Sequence, residues 1–318
     1  VFKGLGVLLF HPSLYFFPFK LFFLFLKHKF NIVVVQEDVY SFITYYCVFF
    51  KKLFGYRLIV DSWQNIFKVY KFPFSFFQKR VFKNADRINA GGNEIITVLR
   101  QKGYTGDITI TPLAYDPELF FQGECPGEIK AKLNLHGLVI AYFGRLIKEK
   151  GVQYLIEALS KVDFDFTLII DDIGGDYREE ILSLVKESGL ESRVRYISPS
   201  HYEMPPYYKC LDVLVLPTYT TGKIKEQFGR VLVEAMASGV AVIGSSCGEI
   251  PHIIGETGLI FREKDSKELR ERLIQLNKDT ELLKRLKGEG IKRAKEKFSL
   301  EAVAEIYYNQ IKELLKED

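Results

Sequence analysis

The sequence predicts an α/β protein with two domains, each built from a parallel β-sheet flanked by helices. Short apolar segments typical of buried strands alternate with amphipathic segments typical of helices along nearly the whole chain, which is the pattern of βαβ units. The chain of 318 residues is long enough for two domains, and 47% of it is hydrophobic, which is sufficient for two cores.

The first half of the chain predicts four strands and three longer helices. The strands are Ile32–Gln36, Leu58–Asp61, Arg87–Ala90 and Ile108–Thr111. The helices are Tyr40–Phe54, Phe74–Lys83 and Glu94–Lys102. Asn93 is the predicted N-cap of the last helix. Leu14–Leu26 is strongly apolar, but Pro18 and Lys20 interrupt it and it is too short to span a membrane, so we interpret it as a buried or interfacial helix.

The second half repeats the alternation with six strands and six helices. The predicted strands are Leu138–Phe143, Phe166–Ile170, Val194–Ile197, Val213–Pro217, Ala241–Gly244 and Gly258–Phe261. The predicted helices are Gly151–Lys161, Asp176–Ser188, Gly229–Ser238, Ser266–Asn277, Thr280–Lys297 and Leu300–Leu315. Residues 121–127 (FQGECPG) have no periodicity and form the predicted linker. We therefore expect domains over residues 1–120 and 128–299, with a terminal helix within 300–318.

Charge and aromatic residues are unevenly distributed. Residues 1–124 contain 15 Lys and Arg against 9 Asp and Glu, and they hold 21 of the 27 Phe. A basic, Phe-rich half has two interpretations, a Phe-rich buried core or contact with an anionic membrane surface. The basic residues do not form the stripe that nucleic acids require, so we predict no nucleic-acid partner.

Cysteine and histidine usage argues against a metal site. The four Cys, at positions 47, 125, 210 and 247, show no C-x-x-C spacing, and the chain has only 5 His. Scattered single cysteines are typical of a reducing compartment. We therefore predict no bound metal and a cytoplasmic protein, with attachment to the inner face of the membrane as an open alternative.

The segment Lys225–Phe261 carries the strongest functional signal. Glu226 and Glu234 bracket a predicted helix start at Phe228–Gly229. Free N–H groups and the positive dipole end of a helix start bind phosphate, while nearby carboxylates can hold sugar hydroxyls. Glu234 has almost only apolar neighbours, and a buried carboxylate needs a partner such as ribose hydroxyls. These features together predict a nucleotide-sugar site.

A second predicted loop supplies cations. Gly144 follows a buried strand and allows a sharp turn, after which come Arg145 and Lys150. Two cations at the carboxyl end of a strand suit a diphosphate, which Arg can bind with two parallel hydrogen bonds. Taken alone, the loop is more typical of a solvated basic turn, but its position after a buried strand, together with Glu226, favours diphosphate binding.

Two further segments contribute weaker signals. Gly248 allows a close backbone approach, and the amides that follow it can bind an anion, although an ordinary strand-to-helix turn has the same composition. In the first half, Gln36–Asp38 and Asp61–Asn65 end two strands with polar residues and Trp63. These suit acceptor or hexose binding, and capping by Asp38 or Asp61 is the alternative.

Together these segments resemble the retaining GT-B glycosyltransferases of family 4, the glycosyl transferases group 1 type. The resemblance rests on GRLIKEKGVQYLIEAL, YYKCLDVLVLPT, the E-x7-E motif from Glu226 to Glu234, and GEIPHIIGETGLIF, which cover most of residues 138–265. It implies the GT-B fold, two Rossmann-like domains whose sheets face a cleft. It also implies that the terminal helix returns to the first domain and that no metal or other cofactor is needed.

The resemblance implies a role for each matched residue. Arg145 and Lys150 would neutralise the donor diphosphate, Glu226 would contact the donor sugar and Glu234 the ribose. The predicted catalytic residues are Glu226, Arg145 and Lys150, and the predicted nucleotide-sugar-binding residues are Gly144, Phe228, Gly229, Glu234, Gly248, Glu249 and Ile250.

The chain departs from the family pattern at several positions. Residues 112–116 are PLAYD where PNGVD is usual, residues 62–64 are SWQ where a His often stands, and His252 replaces a usual Glu. The Gly-rich loop with which the family opens has no counterpart before Leu14. The first domain is therefore predicted to be shortened.

The predicted function is the transfer of a hexose from a nucleotide-diphosphate sugar to a glycan or lipid-linked acceptor with retention of configuration, the base being unknown. The alternative is a non-catalytic nucleotide-sugar-binding or scaffold protein with a degenerate first domain. An epimerase is not supported, because the chain has no G-x-G-x-x-G loop or Tyr-x-x-x-Lys site in context.

Overall fold

The structure is a computed structural model that describes residues 18–316 of the chain. The described chain divides into two compact units, the first made of residues 18–112 and 304–316 and the second of residues 113–303. The domain limits of residues 1–120 and 128–299 remain a prediction.

The first unit contains a parallel sheet of four described strands in the order β1-β2-β3-β4. The strands are β1 Ile32–Val35, β2 Arg57–Ser62, β3 Arg87–Ala90 and β4 Ile108–Ile110. The helices are α1 Pro18–Lys27, α2 Phe42–Phe54, α3 Phe74–Asn84 and α4 Asn93–Gln101. Chain order and spatial order coincide here, as expected when each crossover adds the next strand on the same side.

The second unit contains a parallel sheet of six strands in the order β10-β9-β8-β5-β6-β7. The strands are β5 Leu138–Tyr142, β6 Phe166–Asp171, β7 Val194–Ile197, β8 Val213–Leu216, β9 Ala241–Ser245 and β10 Leu259–Phe261. The chain builds β5 to β7 toward one edge and then returns to place β8 on the other side of β5. The strand order therefore reverses between β5 and β8.

Helices of the second unit connect and follow these strands. They are α5 Gly127–Lys132, α6 Val152–Leu159, α7 Arg178–Glu187, α8 Pro205–Tyr208, α9 Arg230–Ala237, α10 Ile250–Ile254, α11 Ser266–Lys278, α12 Thr280–Phe298 and α13 Leu300–Lys316. The helix α13 begins in the second unit and belongs to the first from Ala304 onward.

The predicted fold class is confirmed. All ten predicted strands are present, with bounds that differ by at most one residue, because β-branched apolar runs bounded by turn residues encode buried parallel strands well. Sequence reasoning missed α5, α8 and α10, which are too short for a helical period to be visible. Capping by Asn93 is wrong: α4 begins at Asn93 itself, and Gly92 is the N-cap.

The part of the predicted helix Leu14–Leu26 that the structure describes belongs to α1. Residues 14–17, and the segment expected to lack the family's opening loop, lie outside the described residues. No helix between residues 18 and 316 has the length and apolarity needed to cross a membrane.

The Phe-rich half forms a buried aromatic core. Phe25 and Phe50 are almost fully buried, with ring centroids 5.3 Å apart, and Phe25 also stacks on Tyr56 at 5.2 Å. Aromatic pairs of this kind bury a large apolar area. Other side chains of α1 and α2, including Phe23 and Phe49, remain exposed. The Phe-rich core is therefore confirmed for the buried residues, while contact of the exposed residues with a membrane surface stays a prediction.

Two cysteines are paired, contrary to the expectation of scattered single cysteines. Cys125 and Cys210 form a disulfide across 85 residues, while Cys47 and Cys247 are free and buried. Spacing rules recognise short motifs such as C-x-x-C, and they contain no information about two cysteines that only the fold brings together. The disulfide ties the segment before α5 to the end of α8.

Buried polar side chains fasten α13 to the sheet of the first unit. The Gln310 amide donates to Asn89 Oδ1 at 2.7 Å, and the Asn89 amide donates to Asp61 Oδ1 at 2.9 Å. The Tyr307 hydroxyl donates to the other Asp61 oxygen at 2.9 Å. Asp61, at the end of β2, therefore has a structural role within the first unit.

Candidate functional site

The carboxyl ends of β5 and β8 lie side by side where the strand order of the second sheet reverses, with Ile140 opposite Val213. Ligands of open parallel sheets bind outside the carboxyl ends of the strands at such a reversal. The segment after β5 contains Gly144, Arg145 and Lys150, and the segment after β8 leads to Glu226. The topology therefore brings the two segments that carry these four predicted site residues to the same end of the sheet.

Lys150 and Glu226 form an ion pair, with Nζ 2.6 Å from Oε2. Their side chains are only 20% and 12% exposed. The buried Thr218 hydroxyl donates to the same carboxylate oxygen at 3.0 Å. The ion pair has little contact with water, and the hydrogen bond from Thr218 helps to hold it in one geometry. The structure thus brings together two predicted catalytic residues that are 76 positions apart.

Backbone contacts explain why Lys150 reaches Glu226. Gly151 has a φ of +76°, and a Cβ at this position would overlap the carbonyl oxygen of Pro217. The Tyr219 N–H donates to the Glu149 carbonyl at 3.0 Å. Only glycine permits this backbone approach at low steric cost. The segment after β5 is therefore attached directly to the segment after β8, with Lys150 at the junction.

The segment after β9 holds the backbone of Glu226. A Cβ on Gly248 would overlap the Glu226 carbonyl oxygen, and this oxygen accepts from the Glu249 N–H at 3.1 Å. The Ile250 N–H donates to the Cys247 carbonyl at 3.2 Å. Two of the three amides predicted to bind phosphate are thus used within the protein. Among the described residues, none accepts a hydrogen bond from the Gly248 N–H.

The predicted helix start lies where the sequence indicated. Gly229, with a φ of +81°, is the N-cap of α9, which begins at Arg230. Phe228 is buried, and its ring meets Phe298 edge-on at 5.8 Å. Phe228 therefore packs in the core, while the first-turn N–H groups of α9 supply the positive end of a helix dipole.

Glu234 is buried within α9, with 4% of its surface exposed. The hydroxyl of Tyr208 in α8 donates to its Oε2 at 2.7 Å. Burial raises the pKa of Glu234 to about 7, although the hydrogen bond from Tyr208 and the charge of Arg230 lower it. The sequence indicated that this carboxylate needs a partner. It did not identify Tyr208, which lies in a helix too short to be predicted.

Arg145 and Gly144 lie at the edge of the arrangement. Gly144 has a φ of +142°, and the buried Tyr142 hydroxyl donates to the Arg145 carbonyl at 2.8 Å. The Arg145 side chain is exposed, and no described residue forms a hydrogen bond or ion pair with it. Arg145 is therefore a cation at the protein surface, in contrast to Lys150.

Sequence reasoning missed Asp171, which ends β6 one strand away from the reversal. The residue is buried, and its Oδ1 has no hydrogen-bond partner among the described residues. Burial, and then the charge of Asp172, raise the pKa of Asp171 to about 7. Two acidic residues at the end of an otherwise apolar strand were the available signal.

The polar strand ends of the first unit interact with each other. Asp38 accepts hydrogen bonds from the Trp63 N–H at 3.1 Å and the Ser62 hydroxyl at 3.2 Å. Ser41, not Asp38, is the N-cap of α2. No cluster of three or more metal-ligating side chains lies within residues 18–316.

Residues 128–293, more than half of the chain, match the sequence profile of the glycosyl transferases group 1 family. The chain belongs to this family. The resemblance to the group 1 type is thereby confirmed, whereas retention of configuration stays a prediction. The matched residues include Arg145, Lys150, Glu226 and Glu234.

Two glycosyltransferases from bacteria are similar to part of this chain. A D-inositol 3-phosphate glycosyltransferase of Corynebacterium aurimucosum is 33% identical over 156 residues, which are 46% of this chain and 36% of the relative. The capsular polysaccharide biosynthesis glycosyltransferase CapM of Staphylococcus aureus is 30% identical over 192 residues, or 58% of this chain and 49% of the relative. The matches thus span half or less of the length of these two relatives.

The fold is that of solved GT-B glycosyltransferases. Anabaena HepE in complex with UDP superimposes with a TM-score of 0.80 at 18% identity, covering 91% of this chain and 80% of HepE. A likeness at so low an identity concerns the fold alone.

The buried Glu234 carboxyl makes stability dependent on pH. Its pKa is about 7 in the folded chain against an ordinary value of 4.5, so between these values the folded state keeps a proton that the unfolded state has released. Stability therefore falls as pH rises from about 4.5 to 7 and then levels off. Between pH 5 and pH 8 the free energy of unfolding of the wild type should fall. We expect Glu234→Gln to make that fall smaller by on the order of 3 kcal/mol, measured by urea unfolding.

Glu256→Gln, which changes an exposed glutamate of the same unit, is the matched control and should leave the pH dependence unchanged. Identical pH profiles for Glu234→Gln and the wild type would contradict the burial of an ionisable carboxyl at this position.

Proposed function

We propose that the protein is a glycosyltransferase that transfers a hexose from a nucleotide-diphosphate sugar to a glycan or lipid-linked acceptor with retention of configuration. The observation that carries the proposal is the Lys150–Glu226 pair at the strand reversal, close in the chain to the first turn of α9. Family membership supports it, as do relatives named as glycosyltransferases and the UDP complex of HepE.

The diphosphate of the donor would lie between the first turn of α9 and the two cations. Arg145 is exposed and without a partner among the described residues, and Lys150 offers further N–H donors beyond the one directed at Glu226. Fixed cations stabilise the negative charge that develops on a leaving diphosphate. The ribose hydroxyls would donate hydrogen bonds to the Glu234 carboxylate, and the hexose hydroxyls would donate to that of Glu226.

In the transfer itself, the bond between the anomeric carbon and the diphosphate oxygen breaks. The diphosphate leaves with the electron pair, while the acceptor hydroxyl oxygen bonds to the anomeric carbon and its proton passes to the leaving diphosphate oxygen. Lys150 would stabilise the negative charge that develops on the leaving diphosphate. Glu226 would be held at the hexose by its contact with Thr218 and by its backbone hydrogen bonds.

Nucleotide binding tests the cation assignment. We expect Lys150→Ala to weaken the affinity for UDP, GDP or ADP by about ten- to a hundredfold, because one charge-assisted hydrogen bond to phosphate is lost. The measurement is calorimetric titration. The exposed Lys148, in the same short turn, provides the control variant Lys148→Ala, which should bind like the wild type. Equal affinities for the two variants would refute the role of Lys150.

Turnover tests the role of Glu226. We expect Glu226→Gln to lose sugar transfer and donor hydrolysis while binding the nucleoside diphosphate nearly as well as the wild type. The Gln amide oxygen can still accept from Lys150 and Thr218, whereas the charge proposed to act at the hexose is lost. Unchanged turnover would refute this role. Wild-type binding without any turnover would favour the non-catalytic scaffold, and no binding at all would refute the site.

We also propose that the first unit contacts an anionic membrane surface, which would bring the enzyme to a lipid-linked acceptor. The support comes from the segment between β2 and α3, where Phe67, Val69 and Phe72 are exposed, the last two by 84% and 81%. Lys68 and Lys71 alternate with them and are exposed as well. Apolar side chains so arranged can insert between headgroups while lysines attract anionic lipids.

Vesicle flotation tests the membrane contact. We expect the wild type to float with vesicles containing phosphatidylglycerol. The double variant Val69→Ser, Phe72→Ser should stay in the dense bottom fraction, because the side chains proposed to insert between headgroups are lost. Tyr202→Ser removes an aromatic side chain of similar exposure, 79%, from the second unit and should float like the wild type. Equal flotation of the double variant, or no wild-type flotation, would overturn this proposal.

A further inference from the structure

We propose that Tyr208 is a positioning residue for donor recognition: its hydroxyl holds the Glu234 carboxylate in the orientation that receives the ribose. The proposal rests on the proposed function, because it assigns a partner to the carboxylate expected at the ribose. Tyr208 itself would touch no ligand, and its effect would pass through Glu234.

The first support is the rigidity of Tyr208. Its side chain is fully buried, and its ring packs edge-on against Phe143 at 5.0 Å and against Phe120 at 5.5 Å. Two residues further along the chain, Cys210 is bonded to Cys125. A ring enclosed on two sides, at the end of a helix that a disulfide closely follows, presents its hydroxyl from a fixed point.

The second support is the way in which Glu234 is bound. Only its Oε2 receives a hydrogen bond from a described residue, the 2.7 Å bond from Tyr208, and its Oε1 accepts none within the described part of the chain. A carboxylate has acceptor sites on both oxygens. One oxygen is thus anchored while the other keeps its capacity for a hydroxyl donor, and less side-chain freedom is lost when a ligand binds.

The third support is electrostatic. Two further charged groups act on the Tyr208–Glu234 pair: the Arg230 guanidinium from the preceding turn of α9 acts on Glu234, and Asp171 from β6 acts on Tyr208. Burial, and then the charges of Glu234 and Asp171, raise the pKa of Tyr208, so its hydroxyl remains a donor. Burial raises the pKa of Glu234 to about 7, and the Tyr208 hydrogen bond opposes that rise.

The chain offers a matched pair of variants in the same short helix. Tyr208→Phe removes only the hydroxyl that binds Glu234 and keeps the packed ring. Tyr207→Phe removes a hydroxyl one residue earlier, from a half-buried side chain. Any general effect of losing a tyrosine hydroxyl from α8 would be common to both variants.

The experiment compares UDP with 2′-deoxy-UDP, and GDP with 2′-deoxy-GDP, by calorimetric titration from pH 6 to pH 9. In the wild type and in Tyr207→Phe we expect the ribonucleotide to bind at least about tenfold more tightly than the deoxynucleotide, since one hydroxyl bond to a carboxylate is at stake. This preference for the ribonucleotide should decline as pH falls and the Glu234 carboxylate takes up a proton. In Tyr208→Phe we expect a smaller preference for the ribonucleotide at pH 7.5. As pH is lowered, that preference should begin to decline at a higher pH than in the wild type, because the hydrogen bond that lowers the pKa of Glu234 is lost.

A second variant keeps the test decisive if Tyr208→Phe does not fold. Glu234→Gln leaves Tyr208 in place, and we expect it to lose both the ribose preference and its pH dependence. Where both single variants fold, adding Tyr208→Phe to Glu234→Gln should cause no further loss of the preference, and an additive loss would overturn the proposal.

The outcomes separate this proposal from the proposed function. Tight binding of a diphosphate with an unchanged preference and pH profile in Tyr208→Phe would overturn the positioning role and leave the donor site standing. Equal wild-type binding of ribo- and deoxynucleotides would overturn it too, because Glu234 would not be at the ribose. No wild-type binding of either diphosphate would overturn both proposals.

Discussion

The ion pair between Lys150 and Glu226 is the contact on which the arrangement of the site depends. It joins the segment after β5 to the segment after β8 at the point where the strand order reverses. Backbone contacts surround it on both sides: Gly151 lies against Pro217, and Gly248 lies against the peptide of Glu226. Side chains at the ends of three strands are therefore placed by glycines that allow backbone to meet backbone.

The two carboxylates of the E-x7-E motif occupy different environments, which suits two different tasks. Glu226 lies beside a cation and a hydroxyl in a partly accessible position, whereas Glu234 lies inside α9 beside a neutral phenol. Desolvation dominates at Glu234 and brings its pKa close to neutrality. A fixed charge at the reacting sugar and a more weakly ionised acceptor at the ribose are compatible with the functions proposed for them.

The two units contribute in different ways. The second contains the strand reversal, the ion pair and the buried carboxyls, all supported by a sheet whose strands are almost entirely buried. The first uses its aromatic residues both for a core around Phe25 and for exposed positions such as Phe67 and Phe72 beside lysines. A single compositional bias toward Phe and Lys thus serves internal packing and a surface at the same time.

The sequence by itself determined the two α/β units, the bounds of all ten strands within one residue, the family, and the candidate residues Arg145, Lys150, Glu226 and Glu234. It could do so because hydrophobic periodicity and turn residues act locally along the chain. Only the tertiary structure decided that Lys150 meets Glu226, that Tyr208 binds Glu234, that Cys125 bonds to Cys210 and that Asp171 is buried without a partner for Oδ1. These contacts depend on strand order and on close backbone approach, which bring distant residues together and leave no periodic trace in the sequence.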